Sequence, residues 1–99
     1  MTEQIVEIKT VVLPILKTYD ATRAGLFGSV VRGELGPESD IDLLMELPDH
    51  KSLLSLVGLK LGLEVALGRS VDLVEYATLP PLLKESILIE EVPLMRGSH

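Results

Sequence analysis

The stretch Gly28-Ser29-Val30-Val31-Arg32-Gly33-Glu34-Leu35-Gly36-Pro37-Glu38-Ser39-Asp40-Ile41-Asp42-Leu43-Leu44 sets a glycine-bounded turn just ahead of two aspartates one residue apart. Alternation of apolar and acidic residues predicts a strand from Asp40 to Leu47, stopped by Pro48-Asp49. Successive side chains on a strand point to opposite faces, so Asp40 and Asp42 project together while Ile41 and Leu43 enter a core. Two carboxylates on one face, roughly 6 to 7 Å apart, repel each other unless divalent cations sit between and beside them. A third acid, Asp72, lies in the short apolar run Ser70-Val71-Asp72-Leu73-Val74. Three such acids suffice to hold two magnesium ions.

Ninety-nine residues, 46% of them hydrophobic, make one domain able to bury a core without staples. The chain has no cysteine, which removes disulfides and thiolate metal sites, and its start shows no signal-peptide pattern; the expected compartment is the cytoplasm. The run from Leu53 to Leu67 carries Lys60 and Glu64 and is too short to cross a bilayer comfortably. A net charge of −6 with nine Lys and Arg argues against stable nucleic-acid binding, which draws its affinity from neutralised phosphates, so any phosphate bound here calls for metal. Arg96-Gly97-Ser98-His99 reads as the remnant of an affinity tag, leaving residues 1–95 as the single domain and His50 as its one histidine.

Working outward, Ile5, Ile8, Val12, Ile15 and Leu16 recur at helical spacing from about Thr2 to Lys17, with Thr2 as N-cap and Pro14 as a late distortion. Thr22 to Phe27 suits a strand feeding the turn at Gly28, and Ser29 then opens one or two helical turns through Arg32. Ser52 to Leu67 predicts a long helix closed by Gly68 and Arg69, with leucines around most of its circumference. One face of it should cover the sheet and the rest should meet another helix or another molecule. Val71 to Tyr76 is a third strand, and Pro80-Pro81 starts a last helix to about Glu91 with Leu82, Leu83, Ile87 and Leu88 on its buried side. Helices and strands in this order make an α+β fold.

A helix N-terminus at Ser29 would offer free backbone N–H groups, and the flanking glycines would let the chain approach a triphosphate without a Cβ in the way. Arg32 can reach the phosphates or the acidic strand, and Ser39 can hydrogen-bond within its loop and fix the pose of Asp40. One ion on Asp40 and Asp42 would grip the phosphates. A second, completed by Asp72, would activate a hydroxyl for in-line attack at the α-phosphorus. Plainer readings compete: Asp40 as a cap, Asp42 as an exposed strand acid and Arg32 as a surface ion pair. For Glu34, Glu38, Glu46, Glu64, Glu90 and Glu91 a solvated face is expected, for His50 a loop, and for Tyr19 and Tyr76 packing roles with wet hydroxyls.

The pattern Gly28-Ser29-x-x-Arg32-Gly33-x5-Ser39-Asp40-Ile41-Asp42-Leu43-Leu44, followed by Asp72 in an apolar strand, resembles the minimal nucleotidyltransferases of the polymerase-β-like superfamily over nearly the whole chain. The resemblance implies a small mixed β-sheet flanked by helices. It places Gly28, Ser29, Arg32, Gly33 and Ser39 around the nucleotide, and makes Asp40, Asp42 and Asp72 the catalytic, metal-binding triad for two Mg2+ ions with ATP as substrate. Among small members the chain is most similar to the antitoxin of a two-gene system whose partner is a HEPN ribonuclease toxin, and which transfers AMP to a toxin tyrosine. One departure from many relatives is Val30-Val31 after the motif serine, where an arginine or another polar residue is common.

A binding antitoxin that masks its partner through the leucine-rich helix is a second expectation, from a different functional class. A third is a nucleotidyltransferase acting on a small molecule such as an aminoglycoside. That reading ranks low, since little chain remains after the third strand to enclose such a ligand unless a homo-oligomer supplies a wall.

Overall fold

Thr2 caps the first helix through its side-chain oxygen, which accepts the Ile5 N–H at 3.2 Å, and α1 (Glu3–Thr18) then buries Ile5, Ile8, Val12 and Leu16 along one stripe. The helix continues through Pro14 to Thr18. The computed structural model describes residues 2–49 and 51–95; the readings of His50 and of the 96–99 tag remnant lie outside the described residues. After α1 come β1 (Arg23–Phe27), a single three-residue 3-10 turn (Gly28–Val30) and β2 (Ile41–Glu46). The chain continues with α2 (Leu53–Leu67), β3 (Val71–Glu75), a second 3-10 turn (Tyr76–Thr78), α3 (Pro81–Glu90) and β4 (Val92–Met95).

The four strands form one mixed sheet in the order β3-β2-β1-β4. β1 runs antiparallel to both neighbours, whereas β2 and β3, joined by the α2 crossover, are parallel. Ala24, Leu26, Ile41, Leu43, Met45 and Val71 turn to one face and pack with the stripe of α1 and with Leu59 and Leu63 of α2. The opposite face carries Leu44, Phe27 and Val74 and meets Tyr76, Leu79, Ile87 and Leu88. Ser52 caps α2 and Gly68 ends it in the left-handed conformation (φ +67°), as its sequence predicts.

β4 is the element absent from the sequence expectation. It has four residues and contains Pro93, which has no N–H to donate to the ladder and is tolerated because β4 is an edge strand. The buried side assigned to the last helix also needs correction. Ile87 and Leu88 are half-buried, but Leu82 is 96% exposed and Leu83 is exposed, so α3 rests on the sheet only by its C-terminal turn.

That turn is fastened by two acids expected to be solvated. The Glu91 side chain is 6% exposed; its carboxylate accepts the Tyr76 hydroxyl and lies near Arg23, whose guanidinium stacks 3.9 Å from the Tyr76 ring centre. Gly25 of β1 admits this carboxylate, since a Cβ there would overlap it. Tyr76 is therefore not a packing residue with a wet hydroxyl: burial and the Glu91 hydrogen bond push its pKa well above the ordinary value. Tyr76→Phe is expected to destabilise the domain by about 1 to 3 kcal/mol, because it removes a hydrogen bond to a buried charge. Chemical denaturation checks this; unchanged stability would mean that Arg23 alone holds Glu91. Glu64 is likewise engaged, accepting the Val71 N–H at 2.9 Å where β3 begins.

Candidate active site

Asp42 is the second residue of β2 and Asp72 the second of β3, and the parallel register sets them directly opposite each other. In-register neighbours on adjacent strands share a face, so both carboxylates stand on the face that also carries α3. Asp40 lies one residue before β2 rather than within it, exposed, in the segment leading to Ile41. β1 ends beside this pair, with Phe27 opposite Asp42, and the chain then turns at Gly28.

Gly28 has φ +76°, a conformation that side chains disfavour, and a Cβ there would overlap the Asp42 carboxylate. Glycine is thus required first by the acid of β2. The expected helix of one or two turns at Ser29 is a 3-10 turn, too short to present a helix N-terminus. Val30 explains the shortness in part: it is buried in the α1–α2 core and pulls the turn against the sheet. Nor is the first N–H free, because Gly28 donates to the Glu90 carboxylate at 2.7 Å. Gly33 follows in the left-handed region (φ +74°) with open space around it.

Arg32 makes a close ion pair with Glu90 (3.0 Å) and another with Glu34 (2.8 Å), so its ion-pair reading holds in this conformation. Its charge also reaches Asp42. The Asp42 carboxyl is pushed above its ordinary pKa by burial, then by the neighbouring charges of Asp72 and Asp40, while Arg32 and the Ser29 backbone N–H draw it partly back. Asp42 is therefore the electrostatic centre of an acidic trio. Ser39 accepts the Gly36 N–H at 3.0 Å, and Arg69 donates to the carbonyls of Gly36 (2.7 Å) and Ser39 (3.1 Å). Arg69, read from sequence only as a helix terminator, thus braces the loop that ends at Asp40.

Among the described residues no group of three acidic or histidine side chains is drawn together closely enough to hold a metal ion. The donor set nevertheless suits magnesium. It consists of hard carboxylate oxygens, two of them in register and a third two residues upstream, with the central one strained by its like-charged neighbours. Side-chain rotation would be needed to close them around an ion. No helix among the described residues is long and apolar enough to span a membrane.

Comparison with known proteins gives the family of the chain. The family described as Nucleotidyltransferase domain matches residues 8–94. A protein of Methanocaldococcus jannaschii, named as a candidate protein adenylyltransferase, is 47% identical over 89 residues, covering 90% of this chain and 96% of its own. Protein adenylyltransferase MntA of Thermococcus cleftensis is 41% identical over 74 residues, 75% of each chain. A solved minimal nucleotidyltransferase superposes with TM-score 0.81 at 40% identity, covering 92% of this chain and 93% of that one. An MNT antitoxin of Shewanella oneidensis, in complex with a tri-AMPylated HEPN toxin, gives TM-score 0.71 at 20% identity over 97% of this chain and 74% of that one, a likeness of fold. The chain belongs to the nucleotidyltransferase-domain family and is one of its minimal members.

Proposed function

We propose that this chain is a cytoplasmic, magnesium-dependent protein adenylyltransferase that acts as an antitoxin, moving AMP from ATP to a tyrosine hydroxyl of a cognate HEPN ribonuclease. The observation that carries the reading is the in-register pair Asp42 and Asp72, with Asp40 just upstream and Gly28 pressed against Asp42. Relatives named as protein adenylyltransferases, and the HEPN complex of an MNT antitoxin, point the same way.

In this reading Asp40, Asp42 and Asp72 would hold two magnesium ions, which would supply stabilisation of the phosphate charge and a lowered pKa for the acceptor hydroxyl. The turn at Gly28, Ser29 and Gly33 would lie along the triphosphate, with the Gly28 N–H turned to it once Glu90 gives way, Arg32 would neutralise it, and Ser39 would keep Asp40 in place through its loop. The tyrosine hydroxyl gives up its proton to solvent and its oxygen forms a bond to the α-phosphorus as the bond to pyrophosphate breaks. Labelled ATP, magnesium and the cognate toxin should give label on a toxin tyrosine and none with Asp42→Asn. No label, together with an Asp42→Asn chain that still neutralises the toxin in cells, would end the catalytic reading.

The alternative, neutralisation by masking, is favoured by one feature. α2 exposes Leu53, Leu54, Val57, Leu61 and Val65, with Leu54 and Val65 at 82% and 84%. Such a run along one helix is what a protein interface would cover. It also serves a transferase that must dock its protein substrate.

A further inference from the structure

The carboxylate of Glu90, at the end of α3, sits on the donors of the Gly28 turn. It accepts the Gly28 N–H at 2.7 Å and two contacts from one Arg32 guanidinium nitrogen at 3.0 and 3.1 Å. A main-chain N–H combined with an arginine is the donor set that recognises a phosphate group. Glu90 is held in its ionised form, its pKa drawn below the ordinary value mainly by the Gly28 N–H and further by Arg32. A fixed negative charge therefore occupies the place where the turn would meet a phosphate.

The element that carries this charge is lightly held. α3 has no buried residue and no side-chain N-cap, and Leu82 and Ile89 stand exposed. The next residue, Glu91, is by contrast buried against Tyr76 and Gly25 and keeps the end of α3 at the sheet. Releasing Glu90 thus needs its side chain to turn outward, where it is already part-exposed, without undocking β4.

We propose that Glu90 is a built-in phosphate mimic, which closes the nucleotide cradle of the free protein by occupying Gly28 and Arg32 and is displaced by the triphosphate. The proposal rests on Gly28 and Arg32 being phosphate donors, as in the function proposed above. The one Gly28 N–H cannot serve both anions, and the Glu90 charge beside Arg32 repels an incoming phosphate, so part of the nucleotide's binding energy goes into opening the cradle and its apparent affinity falls accordingly.

Calorimetric titration of ATP into the full chain, with magnesium, tests this. Glu90→Ala should bind ATP about fivefold to tenfold more tightly than wild type, the discount from a buried pair reflecting partial exposure. Glu90→Gln should fall between, since its amide oxygen still accepts the Gly28 N–H but carries no charge for Arg32. Glu34→Gln removes the same charge from Arg32 without touching Gly28 and should gain less than Glu90→Ala. If wild type binds ATP while both Glu90 variants bind it equally or more weakly, or if Glu34→Gln gains as much, the mimic is overturned and the cradle stands. If wild type and all variants fail to bind ATP, the cradle itself is refuted and the mimic with it. Should Glu90→Ala unfold, Glu90→Gln decides.

Discussion

Asp42→Asn is expected to lower nucleotidyl transfer by about a thousandfold or more while leaving the domain folded and at least as stable as wild type. The loss follows from the role proposed above, in which Asp42 is the central charge of a trio that would hold metal and whose electrostatic contribution to the transition state would be several kcal/mol, each 1.4 kcal/mol being about tenfold in rate. The stability follows from a different fact. Asp42 carries a raised pKa in the folded chain, caused by burial and by the charges of Asp72 and Asp40, so its ionised form is less comfortable folded than unfolded. Between the ordinary carboxylate value and the raised one, the native state binds more protons than the unfolded state. Stability therefore falls as pH rises through that window, and it is recovered on acidification. Asparagine cannot ionise, so the variant should lose this part of the pH dependence. Melting curves between pH 3 and 7 without divalent cations check the sign; a variant clearly less stable than wild type at pH 7 would show that the Asp42 charge is satisfied, not strained.

Gly28→Ala should be strongly destabilising for so small a change. A residue with a Cβ pays about 1 to 2 kcal/mol to adopt a left-handed conformation, and here the added methyl also overlaps the Asp42 carboxylate. Forcing atoms into an occupied space costs a further 1 to 3 kcal/mol or so. For a domain of this size a total of about 3 kcal/mol lowers Tm by roughly 12 to 24 °C. Gly33→Ala is the matched control, since Gly33 shares the positive φ but has no atom within 4 Å of the added position. It should lose only the conformational part. Adding Asp42→Ala to Gly28→Ala should recover the overlap part of the loss but not the conformational part, because the two changes share one contact. Equal losses from the two glycine variants would show that Asp42 yields freely.

The local elements were legible where one physical signal dominates. Thr2 and the stripe Ile5, Ile8, Val12 and Leu16 announce α1, the leucine run ending at Gly68 announces α2 to within one residue at its start, and the alternation around Asp42 announces β2. The spacing of Asp40, Asp42 and Asp72 was legible too, together with the family it belongs to. The acids Glu64, Glu90 and Glu91 were misread as solvated, because nothing near them in the chain reveals a partner. The partner of Glu90 at Gly28 lies 62 residues away. Leu82 and Leu83 were placed inside because they are apolar, but α3 has only its last turn against the sheet.

Local chemistry alone determined the three α-helices, three of the four strands and the metal-type spacing of the acids, since caps and alternation are properties of a few adjacent residues. Only the tertiary structure decided that β4 exists at all, that β2 and β3 lie side by side and in register so that Asp42 faces Asp72, and that Glu90 rests on Gly28 and Arg32. Those outcomes depend on which strands share an edge and which distant charge finds a donor. Such choices are made by burial and pairing across the whole chain.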